Sequence, residues 1–354
     1  MSEHTTDGTA TPVTAAATRT TAASAAAAAR GGTAPGRTTA APHHDADIRG
    51  PADRPGGAMD AATEAFVAHR NLLFTVAYEM LGSAADAEDV LQETWLRWIA
   101  VDLAAVREPR AYLVRATTRQ ALVRLRTLSR RRETYVGPWL PEPLLTTRDV
   151  AEDVELADSV STAMLLVLET LAPTERAVFV LREVFAVDYA EIAAAVDKSP
   201  AAVRQIAHRA RAHVAARRPR AEQGTVPAAE SRRALAAFRL AAETGDLREL
   251  LDMLAPDVVL VGDGGGVRTA ATAPVSGADA VGATLSAGLP ELGRRATLEW
   301  LLVNGSPALL VRIDGEVDDV VTVRVDDGLI SALYVVRNPE KLSRIGYETR
   351  ITRA

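Results

Sequence analysis

Positive charge is concentrated in two short stretches of a chain that is acidic overall. The 354 residues include 40 basic and 46 acidic side chains, a formal net charge of -6. Residues 107–132 nevertheless hold nine arginines and one acid, Glu108, while residues 199–218 hold five arginines and no acid. A helix face of one sign binds phosphates and releases counterions, whereas an ordinary solvated face usually carries both signs. The two stretches therefore predict nucleic-acid surfaces.

The second basic stretch begins with the pattern of a DNA-reading helix. Ser199 can cap a helix and Pro200 suits its first turn, and the preceding "YAEIAAAV" is a short helix of small residues. The three-residue turn "DKS" between them completes a helix-turn-helix. We expect Arg204 and Gln205 to reach base edges and Arg209 and Arg211 to contact phosphates. The alternative is a basic helical hairpin within an ordinary bundle.

A polar stripe on another predicted helix could dock a protein. In "DAEDVLQETW", Asp86, Asp89 and Glu93 recur at helical spacing, and Gln92 lies beside them. Ser83 is the expected N-cap of this helix. As a set of catalytic carboxylates the stripe is weak, because helix surfaces often carry such residues. A protein-docking face is the better interpretation.

The glycine run in "VGDGGGVRTA" could cradle a phosphate. No Lys-Ser or Lys-Thr pair follows it and no helix start is signalled, which argues against a P-loop. The alternatives are a hairpin connection, where glycine supplies a positive φ, and a loop that packs tightly on another domain. From residue 231 onwards there is no histidine, so catalysis there would depend on tyrosine and on carboxylates such as Asp263. The chain has no cysteine, which excludes disulfides and thiolate zinc sites.

The periodicity of apolar residues divides the chain into two helical modules and a mixed one. Residues 60–132 read as helices, the last of which begins at Pro109. Residues 150–218 are helical again, with "DSVSTAMLLVLETL" predicted as one helix and the next starting at Pro173. After residue 231 a helix precedes strand-like runs that Asp-Gly and Asn-Gly turns connect. Helices followed by a meandering antiparallel sheet predict an α+β module.

The first 58 residues are rich in Ala, Thr, Gly and Pro. Such a segment cannot bury enough apolar surface to offset its ordering entropy, so we predict that it is disordered. Met59 stands where the helical periodicity begins, and we hypothesise that it is the true start codon. No apolar run approaches the roughly 20 residues needed to span a bilayer. The absence of cysteine fits a reducing cytoplasm.

Together these segments resemble an extracytoplasmic-function (ECF) sigma factor of bacterial RNA polymerase. Two helical modules, a Pro-rich linker and a terminal basic helix-turn-helix are that family's layout. The resemblance implies two all-α sigma modules, sigma-2 and sigma-4, and a function in transcription initiation rather than catalysis, without a cofactor or metal. Its implied partners are promoter DNA and core RNA polymerase, contacted through the β′ clamp helices and the β flap, with no membrane.

Three motifs carry the implied contacts. "DAEDVLQETWLRW" is similar to the sigma-2 segment that docks on the clamp helices, which implies core-polymerase binding by Asp86, Asp89, Gln92 and Glu93. "AYLVRATTRQALVRLR" is similar to the helix that reads the −10 element, which implies DNA binding by Arg115, Arg119, Arg124 and Arg126. "LAPTERAVFVLREVF" and the helix-turn-helix are similar to the sigma-4 module that reads the −35 element, which implies DNA binding by Ser199, Ala202, Arg204, Gln205, His208, Arg209 and Arg211.

The chain departs from the family pattern at several positions. The −10 helix has Arg119 and Val123 where Asn and Asp are usual, and the helix-turn-helix turn has Asp197 where Gly is usual. After the triple glycine, Val267 takes the place of a frequent Lys, and Arg268 follows as its substitute if that cation contacts another domain. Trp95 and Trp98 fall on the apolar side of their helix and are expected in the core rather than against DNA bases.

Further motifs are similar to those of a subgroup, often called ECF41 or SigJ-like, that carries a fused SnoaL-like domain with the NTF2-like cone fold. The motifs are "YVGPWLPEPL", "DGGG" and "NPEKL". They imply interdomain, regulatory contacts by Trp139, Leu140, Asp263, Gly264, Gly265, Gly266, Arg268, Asn338, Pro339, Lys341 and Leu342. The resemblance favours regulation of the sigma modules in cis, and it leaves open a retained cavity for a small-molecule ligand of unknown identity.

We therefore expect the following division of the chain. It comprises a disordered tail (1–58), a sigma-2 domain (59–134), a Pro-rich linker (135–149), a sigma-4 domain (150–220), a SnoaL-like domain (231–342) and a C-terminal tail (343–354). Two rival functions remain at this stage. One is a DNA-binding regulator that acts without polymerase, and the other is an enzyme fused to a DNA-binding module, with Asp263 as its catalytic carboxylate.

The linker itself is unusual, because three prolines stiffen it and yet it carries large apolar residues. Trp139 and Leu140 look like anchors that need a pocket. We hypothesise that the C-terminal domain forms this pocket near the Asp263–Gly266 loop. The alternative is that Trp139 only caps the end of the arginine helix.

Overall fold

The computed structural model describes residues 56–132, 134–217 and 228–353. The predicted disorder of the N-terminal segment falls on residues outside this range, apart from the last three. Within the described residues, no helix is long and apolar enough to cross a membrane. The same part of the chain contains no cluster of His, Asp and Glu that could hold a metal ion.

The first module is a bundle of three long helices. They are α1 (Gly56–Leu81), α2 (Ala84–Trp98) and α3 (Pro109–Arg132), with a short 3-10 turn at Leu103–Ala105. Gly82 ends α1 with a φ of 68°, and the Ser83 hydroxyl caps α2 by accepting from the Asp86 N–H at 3.2 Å. Trp98 is fully buried and its indole N–H donates to the Ala62 carbonyl at 2.8 Å. Trp98 is therefore a core residue, as predicted.

The second module is built from shorter helices. They are α4 (Arg148–Glu152), α5 (Val154–Val160), α6 (Thr162–Glu169), α7 (Pro173–Phe179), which continues as a π turn at Val180–Val184, α8 (Tyr189–Val196) and α9 (Pro200–Arg217). The prediction of one helix over residues 158–171 is wrong. Ser161 leaves the helical conformation with a ψ of 147°, and its hydroxyl accepts from the Met164 N–H at 3.2 Å. Serine here caps a new helix instead of continuing the old one.

The two helical modules share one hydrophobic core. Helix α3 of the first module packs directly on α7 and α8 of the second. Buried side chains such as Leu122 and Leu125 from α3 belong to the same cluster as Val178 and Ile192. Because a shared core buries apolar surface of both modules, it stabilises their contact.

The third module has helices α10 (Ala228–Thr244), α11 (Arg248–Asp252), α12 (Ala278–Leu292) and α13 (Pro339–Leu342). Its strands are β1 (Leu254–Asp263), β2 (Val275–Ser276), β3 (Ala296–Val303), β4 (Ser306–Ile313), β5 (Glu316–Asp326) and β6 (Leu329–Val336), in the sheet order β2-β1-β6-β5-β4-β3. The α+β architecture is as predicted. Strands β3 to β6 form the antiparallel meander, and each hairpin turns on an Asx-Gly pair with positive φ at both residues, at 304–305, 314–315 and 327–328.

The prediction of a purely antiparallel sheet is wrong. Strand β1 pairs with β6 in parallel, with Leu260 opposite Leu333. After β2 and α12 the chain enters the meander at β3, at the edge of the sheet opposite β2. The last strand of the meander, β6, therefore lies beside β1 and runs in the same direction, so that the sheet is mixed.

The two faces of this sheet have different partners. Helices α10 and α12 cover one face, where Phe238 and Leu285 are buried against the strands. The other face meets the linker, whose Leu140 is buried among Leu310 and Tyr334. Side chains of α6 also pack on that face. The fused module therefore lies against the linker and the second helical module.

The C-terminal segment after α13 packs on the helical modules. The Thr349 N–H donates to the Leu145 carbonyl at 2.8 Å, and Leu145 in turn bridges Val303 of β3. Ile351 is buried in the shared helical core, and the Arg353 guanidinium lies 2.9 Å from the Asp153 carboxylate. The linker thus runs between the edge of the sheet and the C-terminal segment.

Candidate nucleic-acid interface and linker site

The expected recognition helix, α9, presents its polar residues to solvent. Its N-cap is Ser199, whose hydroxyl accepts from the Ala202 N–H at 3.2 Å. The turn before it closes through Asp197, which adopts the left-handed φ of 54° that glycine usually supplies. The predicted residues that are exposed along this helix are Arg204, Gln205, His208, Arg209 and Arg211. Arg209 and Arg211 approach acids of the same module at 3.8 and 3.7 Å.

Arg119, in contrast, is occupied by the second module. Its guanidinium donates to the carbonyls of Ala194 and Ala195 at 2.7 and 3.4 Å. These carbonyls belong to the last turn of α8, where the helix dipole favours a cation. A residue expected to read the −10 element therefore holds the two helical modules together.

Arg124 joins two sets of predicted residues. It pairs with Asp86 at 2.7 Å and also with Asp89. The carboxylates expected to dock on polymerase are therefore neutralised by an arginine expected to bind DNA. Gln92 and Glu93, on the same helix, are exposed.

The other predicted −10 residues lie elsewhere along α3. The Arg115 guanidinium lies 5.4 Å from the centroid of the Tyr112 ring, and Arg126 is exposed. The structure therefore distributes the four arginines along one helix without gathering them into one cluster.

Asp263 is the centre of the contacts between the linker and the fused module. Its side chain is fully buried. One carboxylate oxygen accepts from the Tyr135 hydroxyl at 2.6 Å and the other from the Leu140 N–H at 2.8 Å. The second oxygen also accepts from the Lys341 ammonium at 2.6 Å. Burial, followed by the hydrogen bond to Asp263, raises the pKa of Tyr135, so the phenol stays protonated and donates.

The NPEKL segment completes this site. The Asn338 side chain caps α13 by accepting from the Glu340 N–H at 3.0 Å, and its amide donates to the Tyr135 hydroxyl at 2.9 Å. Pro339 begins α13, where a missing N–H is tolerated, and Leu342 is buried. Lys341 also donates to the Leu140 carbonyl at 2.5 Å.

The triple glycine is a packing loop. A Cβ on Gly265 would lie 2.3 Å from the Asn338 amide, and one on Gly266 would lie 3.0 Å from the Cβ of Val136 in the linker. Both glycines have positive φ. The geometry agrees with the tight-packing alternative and not with a P-loop. The Arg268 guanidinium lies 3.6 Å from the carboxylate of Asp318 in its own module.

The two apolar anchors of the linker occupy different pockets. Leu140 is fully buried against the sheet. The Trp139 ring lies beside Gly82, where an added Cβ would be 2.7 Å from the ring edge, and the Lys341 ammonium lies 4.3 Å from the ring centroid. The alternative that Trp139 only caps the arginine helix is therefore wrong.

Sequence reasoning missed a second set of linker contacts. The Glu142 carboxylate accepts from the Ala84 N–H at 2.7 Å, at the start of α2. The Tyr78 hydroxyl donates to the Glu142 carbonyl at 2.8 Å and accepts from the Asn304 amide at 2.9 Å. One signal was available, since an acid between two prolines is an unusual choice for a simple spacer.

A buried carboxyl at the junction of the helical modules was also missed. Glu79 of α1 is fully buried, and one of its oxygens accepts from the Ser159 hydroxyl of α5 at 2.9 Å. Its other oxygen has no partner among the described residues. The buried Arg176 donates to the Glu79 carbonyl at 3.0 and 2.8 Å and pairs with Glu169. Burial raises the pKa of Glu79 to about 8.

Comparison with known proteins places both helical modules in a family. The profile "Sigma-70 region 2" matches residues 65–131, and "Sigma-70, region 4" matches residues 161–214. ECF RNA polymerase sigma factor SigJ of Mycobacterium tuberculosis is 37% identical over 291 residues, which cover 78% of this chain and 92% of SigJ. The probable ECF RNA polymerase sigma factor SigI of the same organism is 32% identical, over 82% of this chain and 97% of SigI.

A solved structure extends the similarity to the whole architecture. The crystal structure of Mycobacterium tuberculosis SigJ aligns with a TM-score of 0.63 at 34% identity. The alignment covers 80% of this chain and 99% of that one. The helical region and the C-terminal mixed-sheet module thus occur together in a related protein.

Proposed function

Since this chain belongs to the ECF sigma factors of RNA polymerase, which bind core polymerase and promoter DNA through regions 2 and 4, we propose that its fused module regulates that activity in cis. The module holds the linker in place. It thereby favours the packing of α3 on α7 and α8, which we call the closed arrangement of the two helical modules. Opening of this arrangement is required for promoter binding. Sigma factors are initiation factors and not enzymes, and all the polar atoms of the Asp263 carboxylate are engaged by the linker and its own module.

One observation carries the proposal. The arginine helix α3 packs on α8 of the helix-turn-helix, and Arg119 bonds to the end of α8. The surfaces expected to read the −10 and −35 elements are therefore held side by side on one core. On this proposal the two surfaces move apart to reach promoter elements that lie at separate places along the duplex.

The proposed contacts on polymerase and DNA follow the sequence expectations. Asp86, Asp89, Gln92 and Glu93 contact the clamp helices, and the α3 arginines hold the single strand. The exposed side chains of α9 enter the major groove at the −35 element. The protein acts in the cytoplasm, where core polymerase and the chromosome are found.

An engineered disulfide that can be formed and reduced tests the regulatory proposal. The chain has no cysteine of its own, so two introduced cysteines can pair only with each other within one molecule. A Cβ on Gly305 of the β3–β4 turn would lie 2.7 Å from the Cβ of Ala157 in α5. Gly305 has a φ of 71° and the added Cβ would also lie 2.7 Å from the Cα of Ala157, so in the double variant Gly305→Cys, Ala157→Cys the β3–β4 turn must move away from α5 by about 1 Å to reach disulfide geometry. The disulfide would then fix the fused module on the second helical module. In vitro transcription with core polymerase should be low for the oxidised protein and should recover on reduction.

Each single-cysteine variant is the matched control and should respond to neither oxidation nor reduction. Equal transcription by the oxidised and reduced double variant, with the disulfide verified by mass, would contradict the proposal. The assay also separates regulation from the family assignment, because the reduced protein must still initiate transcription.

A further inference from the structure

A cleft of about 530 Å³ lies where the linker, the fused module and the C-terminal segment meet. Its apolar lining includes Leu301, Leu302 and Pro307 from the edge of the sheet. Trp300 of the edge strand β3 forms part of the wall and keeps 41% of its surface exposed. A volume between about 300 and 1,000 Å³ with a mainly apolar lining is typical of small-molecule sites.

Two cations stand at this cleft. Arg148 begins α4 at the end of the linker, and Arg232 belongs to α10 of the fused module. Both are exposed, and neither makes an ion pair within the described parts of the chain. A third arginine, Arg239, lies 5.6 Å from the centroid of the Trp300 ring. The single acid of the lining is Glu348, so the lining carries a net positive charge.

From this arrangement we infer that the cleft binds a small aromatic anion, with its ring against Trp300 and its carboxylate or sulfonate between Arg148 and Arg232. Guanidinium groups match planar anions in two-point hydrogen bonding, and an indole face favours stacking over an aromatic ring. The apolar lining accounts for the body of the ligand and the arginines for its charge. An uncharged ring would gain nothing from the two arginines, which water already hydrates.

Binding in the cleft should affect how the modules pack, because its walls come from different parts of the chain. Arg148 follows the linker, Trp300 belongs to the fused module, and Glu348 belongs to the C-terminal segment. A ligand that touches these three walls binds only where they meet, so by mass action it stabilises the docking of the fused module on the linker. On the proposed function this docking favours the closed arrangement. This link to transcription depends on the function proposed above, whereas binding itself does not.

Binding can be measured on the full chain without polymerase. The probe is 8-anilinonaphthalene-1-sulfonate, and N-phenyl-1-naphthylamine supplies nearly the same aromatic body without the charge. We expect saturable binding of the sulfonate and at least tenfold weaker binding of the uncharged amine. A competition experiment should distinguish charged from uncharged ligands in the same way. 1-Naphthoate should displace the probe, and 1-naphthalenemethanol should not.

Four variants test the assignment of the site. Arg148→Gln and Arg232→Gln should each weaken binding of the sulfonate by about tenfold, as expected for loss of a charged hydrogen bond. Glu348→Gln removes the one repulsive charge and should tighten it. Arg233→Gln changes an exposed neighbour outside the cleft and should have no effect.

Because all four side chains are exposed, the variants should fold like the parent, which circular dichroism checks. Energy transfer from tryptophan to the bound probe should fall in Trp300→Phe, which locates the probe. Absence of saturable binding, or binding that Arg148→Gln, Arg232→Gln and Arg233→Gln leave equally unchanged, would overturn the inference.

Discussion

Replacement of Asp263 by Asn should separate the linker from the fused module. The substitution keeps the size of the side chain and removes its charge. In the parent, each carboxylate oxygen accepts two hydrogen bonds, from Tyr135 and Gly265 on one side and from Leu140 and Lys341 on the other. An amide has one acceptor oxygen, so in either orientation its NH₂ group faces two donors.

The magnitude follows from the burial of this pair. Asp263 is fully buried and the Lys341 side chain is 12% exposed. Removing one partner of a buried ion pair leaves the other charge uncompensated and costs about 3–5 kcal/mol. We expect the free energy of unfolding of Asp263→Asn to fall by that amount. We also expect trypsin to cut faster after Arg148 at the end of the linker.

Urea denaturation followed by circular dichroism measures the loss in free energy of unfolding. A second variant shows how much of this loss comes from the uncompensated charge of Lys341. Lys341→Met removes the stranded cation, so the double variant Asp263→Asn, Lys341→Met should be more stable than the sum of the single changes predicts. Asp314→Asn is the control, because it breaks an exposed ion pair with Arg295 in the same module. If Asp263→Asn were as stable as Asp314→Asn, Asp263 would not hold the linker.

Three further predictions concern the helical modules. Ala186 has a φ of 50°, so Ala186→Gly should raise the free energy of unfolding by about 1 kcal/mol. Ala212→Gly in the middle of α9 should lower it by a similar amount. The midpoints of urea denaturation measure both changes. Glu79 keeps its proton up to about pH 8 when folded and loses it near 4.5 when unfolded. The contribution of this carboxyl to stability should therefore fall as the pH rises between these values, by about 5 kcal/mol in full. Glu79→Gln should reduce this pH dependence, and the same dependence of the melting temperature on pH in the parent and the variant would contradict the reasoning. Arg119→Asn should increase the radius of gyration in X-ray scattering because it frees α8, and Arg204→Asn should leave it unchanged.

The local elements were largely predictable because their signals are short in range. Ser83, Pro109 and the Asx-Gly pairs act within a few residues, and the structure has a helix start or a hairpin turn at each. The missed helix break at Ser161 is also local. Serine can continue a helix or cap one, and the choice depends on what its neighbours bury.

The contacts between modules were harder to predict, because they depend on residues far apart in sequence. Asn304 and Tyr78 are separated by 226 positions, and nothing near either residue indicates the other. The parallel pairing of β1 with β6 was not predicted for the same reason, since the two strands are far apart in sequence. The Asp263 loop was recognisable because three consecutive glycines are informative in themselves. Its partner Lys341 was predicted only through the resemblance, and its partner Tyr135 was not predicted.

Opening of the closed arrangement is best understood as an exchange of partners. In the closed form the Arg119 guanidinium bonds to the carbonyls of α8, and Arg124 neutralises Asp86 and Asp89. If these groups were simply exposed, several hydrogen bonds and ion pairs would be lost without replacement. On the proposed function, phosphates of the promoter replace the carbonyls and carboxylates around the arginines, and the polymerase clamp takes the freed acids. Neither partner alone supplies both replacements, so the closed form should yield fully only when polymerase and DNA are present together.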